Sequence, residues 1–149
     1  VLNISSAGIL TFPKQSICVV YLSSEQSITA GEISKIAFDS ASIDTQNEFD
    51  STNNRITVSE AGKYLIIAKA RFTPGADHDT LILSVYKNGV ENFVTSIEAA
   101  GTKSQDVIAI RVLNLGASDY IEAYAKDANS NATIVNGAGI TYLVVIKIA

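Results

Sequence analysis

Along most of the chain, apolar side chains recur at every second position rather than every third or fourth. That period of two marks a β-strand lying on a packed surface. In 63–72 the even positions Tyr64, Ile66, Ala68, Ala70 and Phe72 form one apolar face. In 120–126 Ile121, Ala123 and Ala125 do the same, opposite Tyr120, Glu122, Tyr124 and Lys126. Runs of this kind, rich in Ile, Val, Tyr and Thr, predict strands over 17–23, 34–39, 55–59, 63–73, 80–87, 91–98, 106–115, 120–126 and 139–148. Clusters of Gly, Asn, Asp and Ser part them. The clearest is Asn88-Gly89, two residues that tolerate positive φ between two strand-like runs, which predicts a tight hairpin. No stretch carries the i, i+3, i+4, i+7 spacing of an amphipathic helix. The predicted class is all-β, an antiparallel sandwich or barrel.

Where the alternation fails, it fails toward too many apolar residues. A sheet that is wet on one side needs only one apolar face. In 63–72, Leu65 and Ile67 are apolar on the second face as well, before Lys69 and Arg71 restore polarity. In the last strand Ile140, Tyr142, Val144 and Ile146 share one face while Leu143 and Val145 share the other. Tyr120 and Tyr124 add ring area to the polar side of 120–126. Large contiguous apolar patches are rare on soluble monomers, and tyrosine suits subunit contacts because its ring buries area while its hydroxyl stays bonded. The pattern therefore predicts a subunit interface through one sheet, against the plainer reading of scattered surface apolar residues.

Composition narrows the classes further. At 149 residues the chain makes one domain with room for a substantial core. A net charge of −4 and a pI near 4.9 leave no basic footprint for nucleic acid or an anionic membrane. No apolar run approaches the roughly 20 residues that span a bilayer as a helix. Cys18 is the only cysteine, so no intrachain disulfide forms and a Cys-based zinc site lacks ligands; within an apolar strand it reads as a small buried hydrophobe. His78 is the only histidine, which removes every multi-histidine metal motif. With no Gly-x-Ser-x-Gly elbow and no nameable nucleophile and base, an enzyme is not expected. Methionine is absent, position 1 included, so the chain is expected to be part of a longer protein.

The most polar cluster is Asp77-His78-Asp79, in a loop after Pro74-Gly75. Carboxylates at i and i+2 can hold a hard cation through oxygen, although Asp is also favoured in turns for its own sake. Asp77 and Asp79 are the candidate metal ligands, and Pro74, Asp77, His78 and Asp79 the candidate partner-binding loop.

Several segments in a fixed order resemble the globular head of complement C1q and its relatives in the tumour necrosis factor superfamily. They begin with Ile36-Ala37-Phe38-Asp39 and Asn47-Glu48-Phe49-Asp50. Next come 54–64, with Arg55, Ala61-Gly62 and Tyr64, and then Tyr86-Lys87-Asn88-Gly89. Leu115-Gly116 with Asp119-Tyr120-Ile121 follows, and 139–148 closes the series. Together they cover 17–149. Two departures set the chain apart: Ala117 and Ser118 split the Gly-Asp pair, and Gly139-Ile140-Thr141-Tyr142 replaces the aromatic-Ser-Gly-aromatic closing pattern. In this the chain is more similar to the divergent C1q-like modules that cap phage and bacterial surface fibres.

The resemblance implies a jelly roll of about eight to ten strands over 17–149 that assembles as a homotrimer, with 1–16 a connection to an upstream stalk or an extra edge strand. It places Leu65, Ile67, Tyr120, Tyr124, Tyr142, Leu143 and Val145 at or near the contact between copies, with either apolar face open as the one turned to the threefold axis. Calcium is the one cofactor it brings, since some relatives bind it in apical loops. The function implied is a non-enzymatic head on a viral spike, tail fibre or surface filament, at the virion surface or extracellular. Loops 73–80, 98–105 and 126–136 would bind a host surface protein or glycan, and three copies would add avidity. A purely structural fibre component that drives trimerisation is the alternative. A carbohydrate-binding jelly roll comes third, weakened by the absence of Trp and of a paired acidic cleft.

Overall fold

The computed structural model describes residues 3–8, 10–11 and 15–149. Among the described residues thirteen strands form two antiparallel sheets and there is no helix. A separate ribbon precedes them, in which β1 (Asn3–Ile4) pairs with β2 (Leu10–Thr11) and, among the described residues, with no other strand. Within 1–16 the structure describes this ribbon with its turn and the pair Gln15-Ser16, and residues 12–14, Phe12-Pro13 included, lie outside the described residues. There follow β3 (Ile17–Tyr21), β4 (Gln26–Ile28), β5 (Ser34–Lys35), β6 (Ser40–Asp44), β7 (Phe49–Asp50) and β8 (Arg55–Thr57). The longer strands are β9 (Gly62–Thr73), β10 (Thr80–Lys87), β11 (Val90–Glu98), β12 (Gln105–Leu115) and β13 (Tyr120–Asp127), and β14 (Ala132–Val135) and β15 (Tyr142–Lys147) end the chain. The strand number exceeds the expected eight to ten because β4, β6, β7 and β14 are too short or too polar to display alternation.

The seven-stranded sheet is organised by β9. Along one edge it pairs over its whole length with β12. The other edge is shared, with β15 against residues 64–69 and β14 against residues 71–73. Thr141 bridges the gap between them. Its Oγ accepts the Arg71 N–H at 3.2 Å and donates to the Val135 carbonyl at 2.5 Å, so a hydroxyl replaces the missing rung of the ladder. Beyond β15 lie β3 and β6, and β4 adds to β14.

The second sheet runs β11-β10-β13-β8-β7, with β5 sharing an edge of β13. Its hairpin at Asn88-Gly89 has φ of 52° and 76°, the left-handed pair that a two-residue turn between twisted strands requires. Tyr64, Ile66, Ala68, Ala70 and Phe72 face inward, as alternation predicts, and meet Leu81, Leu83, Val85, Ile121, Ala123 and Ala125 of the opposite sheet. The alanines let the sheets approach while Phe38, Tyr64 and Phe72 fill the remaining volume. The buried Tyr64 hydroxyl is satisfied by the Glu60 carbonyl at 2.8 Å.

Candidate functional site

Two surfaces stand out, and the geometry of β9 positions both. The first is the outward face of the seven-stranded sheet. Register aligns Val112, Leu65, Ile146 and Ile17 across four strands. The next row is Ile110, Ile67, Val144, Val19 and Ile43, and the third is Ile108, Lys69, Tyr142 and Tyr21. The second row is apolar across all five strands, and Ile110 at its rim is 61% exposed. Polarity returns at both ends of β9, with Lys63 opposite Asn114 at its start and a charged group at its C-terminal end. There Arg71 grips Asp106 with Nε and Nη2 at 2.7 and 3.0 Å, and Lys69 lies 3.1 Å from the same carboxylate. The bidentate arginine holds the Asp106 carboxyl below the usual carboxylate range.

Of the residues expected at a contact, Leu65, Ile67 and Tyr142 lie together on this face. Leu143 and Val145 do not: both are fully buried and point into the core of their own chain, opposite Ala68 and Ile66 of β9. Tyr120 and Tyr124 belong to the other sheet. On its outer side Tyr124 packs on Tyr86 with ring centroids 4.1 Å apart, and Arg55 sits 4.3 Å over the Tyr120 ring. Ile108, Ile110 and Val112 were missed. Their signal was present in 106–115, where Val107 and Ala109 on one face and Ile108, Ile110 and Val112 on the other repeat the two-faced pattern of β9.

The second surface is the end of the sandwich that gathers loops 73–80, 98–105 and 126–136. His78 N–H donates to the Ala99 carbonyl at 3.0 Å and Ala99 N–H to the Asp79 carbonyl at 2.7 Å. Thr73 and Ser104 hydroxyls meet at 2.8 Å, and Thr80 N–H donates to Asn129 Oδ1 at 3.0 Å. Gly75 seats directly on 130–131, where an added Cβ would lie 2.4 Å from the Asn131 oxygen. Three loops far apart in sequence thus make one apex.

Within it the expected residues take different roles. His78 stands between two acids, with Nδ1 2.8 Å from Glu98 and Nε2 3.4 Å from Asp77. The hydrogen bond to Glu98 and the nearby charges raise its pKa above the ordinary 6.5. Asp77 is exposed and accepts Gly101 N–H at 2.6 Å, whereas Asp79 is only 2% exposed and faces inward. The two therefore do not converge. Among the described residues no three His, Cys, Asp or Glu side chains gather as a metal centre.

No protein-family sequence model matches the chain, and no curated protein matches it in sequence. Its backbone superposes on solved structures all the same. Eiger TNF from S. frugiperda matches at a TM-score of 0.71 and 12% identity, over 91% of this chain and 93% of that one. The globular domain of zebrafish complement 1qA matches at 0.66 and 13%, over 91% and 98%. The chain has the C1q/TNF-like jelly-roll fold. Murine APRIL shares the same jelly roll, at a TM-score of 0.69 and 14% identity over 91% of this chain and all of that one. At such identities the jelly roll itself is what is shared, and site residues have to be read from this chain alone.

Proposed function

We propose that this jelly roll is a non-enzymatic homotrimeric head that assembles through the outward face of its seven-stranded sheet and binds a partner through its apical loops. The observation that carries the reading is the continuous apolar surface from Ile110 through Ile67 and Val144 to Val19 and Ile43. A face of that extent, with Ile108, Ile110 and Val112 all exposed in a single chain, is covered by sister copies in this reading. The charged corner of Lys69, Arg71 and Asp106 limits the contact toward the apex.

The opposite end supports the same arrangement. Ser16, entering β3, accepts Lys147 N–H at 2.9 Å, and Lys63 N–H donates to the Ala149 carbonyl at 2.7 Å. Both ends of the 17–149 sandwich therefore lie at the base, and the three joined loops are presented away from it. A rigid trimer displaying such loops suits attachment to a host surface protein or glycan, as the head of a viral spike, tail fibre or other extracellular filament, with avidity from three copies. Exchanging 74–78 for a Gly/Ser segment tests the binding role. Adsorption to the host surface should be lost while the trimer mass is unchanged, and undiminished adsorption would remove the apex from the account and leave trimerisation as the module's task.

A further inference from the structure

The outer face of the six-stranded sheet differs in chemistry from that of the other sheet. Where β3, β9, β12 and β15 turn mostly aliphatic side chains outward, β10 and β13 turn out Tyr86, Tyr120 and Tyr124. Register sets Tyr86 opposite Glu122, so Tyr86 is the diagonal neighbour of both Tyr120 and Tyr124. The Tyr86 and Tyr124 rings touch, tilted by 37° with centroids 4.1 Å apart, and make one aromatic surface. All three tyrosines are half-buried, which leaves ring area open to solvent. Tyr120 and Tyr124 stand four residues apart on β13, about 13 Å along the strand.

The charges among them are already matched. Glu122, 5% exposed, pairs with Lys35, which lies opposite Tyr124 on β5. Arg55 covers the Tyr120 ring, and its Nε lies 3.3 Å from Asp50 Oδ2, within ion-pair range but out of hydrogen-bond alignment. Polar capacity nonetheless remains. Ser84 Oγ, opposite Tyr124 in the ladder, and Arg55 Nε are both buried without a hydrogen-bond partner. Burial raises the pKa of Tyr86 and Tyr124 above the ordinary 10, so both phenols stay donors at neutral pH.

We propose that this face binds a neutral, β-linked oligosaccharide, with pyranose rings laid on Tyr86 and Tyr124 and hydroxyls bonded to the phenols and to the ion pairs around them. A pyranose has an apolar C–H face that stacks on an aromatic ring and a rim of hydroxyls that needs donors and acceptors, and this face offers both. An uncharged ligand suits a surface whose ions are paired, since an ionic one has to displace a partner from the buried Glu122. Equatorial β-linkages keep a glycan flat and extended along a strand, whereas α-linkages coil it. The chain has no Trp, so tyrosine supplies the ring area. The site is lateral, separate from the apical loops and from the face given to sister copies, and it stands or falls independently of both.

Tyrosine fluorescence of the whole chain tests this, because three of its six tyrosines lie on this face and no Trp masks them. Titration with cellohexaose, a β-linked glucose chain, should change the emission saturably with a dissociation constant of about 1 mM, and maltohexaose, its α-linked counterpart, should not. Tyr86→Ala should weaken binding about tenfold, while Tyr86→Phe, which keeps the ring, should retain most of it. Calorimetric titration of the wild-type chain gives a readout independent of the variants, and binding heat is expected with cellohexaose alone. No response to cellohexaose would overturn the proposal and leave the face to a protein partner. Equal binding of both oligomers, or unchanged affinity in Tyr86→Ala, would overturn it as well.

Discussion

Asn88 of the β10–β11 turn donates from Nδ2 to Asp119 Oδ1 at 2.7 Å, locking two turns at the base of the sandwich together. The same asparagine accepts Tyr120 N–H at 2.9 Å, and Asp119 Oδ2 takes Gly116 N–H at 2.7 Å and Lys87 at 2.9 Å. The Gly-Asp pair that Ala117 and Ser118 separate in sequence is thus reunited by a turn in which Ser118 adopts a φ of 72°. These bonds, the one from Asn88 above all, lower the Asp119 pKa from 3.8 to about 2.

A depressed carboxylate pKa stabilises the fold above the unfolded value and loses that stabilisation as pH falls through the folded one. Asp119→Ala is therefore expected to cost about 1–2 kcal/mol at neutral pH, screening by solvent included. Urea unfolding should show the gap between wild type and variant narrowing between pH 3.8 and about 2.

His78 behaves with the opposite sign. Its raised pKa means that the contacts to Glu98 and Asp77 are fully charged below 6.5 and weaken as pH rises through the folded value. The imidazole should titrate above 6.5 by proton NMR, and Glu98→Gln should bring the midpoint back toward 6.5. A midpoint untouched by Glu98→Gln would contradict the pairing.

Leu143 and Val145 occupy the interior, so truncating them acts on the single chain. Leu143→Ala should destabilise folding by about 2–5 kcal/mol through the lost burial and the cavity it leaves. Chemical unfolding at fixed protein concentration checks this. A cost below about 1 kcal/mol would place Leu143 outside the packed core.

Thr141 is fully buried and joins two strands that share one edge of β9. Thr141→Val keeps the volume but leaves the Arg71 N–H and the Val135 carbonyl without that partner, at an expected cost of about 1–3 kcal/mol. Faster amide exchange confined to Arg71 would locate the loss at that rung.

Much of the architecture was legible because a period of two is a direct imprint of the pleat. The inward row of β9 is the row that alternation selects. In β15 both rows are apolar, and only register against Ala68 and Ile66 turns Leu143 and Val145 inward. Alternation also says nothing about which sheet a strand joins, so Tyr120 and Tyr124 resembled Leu65 in pattern while lying on the opposite side of the molecule. The convergence of loops 73–80, 98–105 and 126–136 is a property of the sandwich and has no local signal. Asp127 is in phase with Ile121, Ala123 and Ala125 and is fully buried, yet the predicted strand ends at 126, because an acid at that position reads as the start of a loop.

The central claim is that sister copies cover the outward face of the seven-stranded sheet. Sedimentation equilibrium of the wild-type chain and of Ile110→Lys tests it most directly. The account predicts three times the 15.8 kDa chain mass for the wild type and a folded single chain for Ile110→Lys. A wild-type chain that stays at 15.8 kDa at high concentration would contradict it.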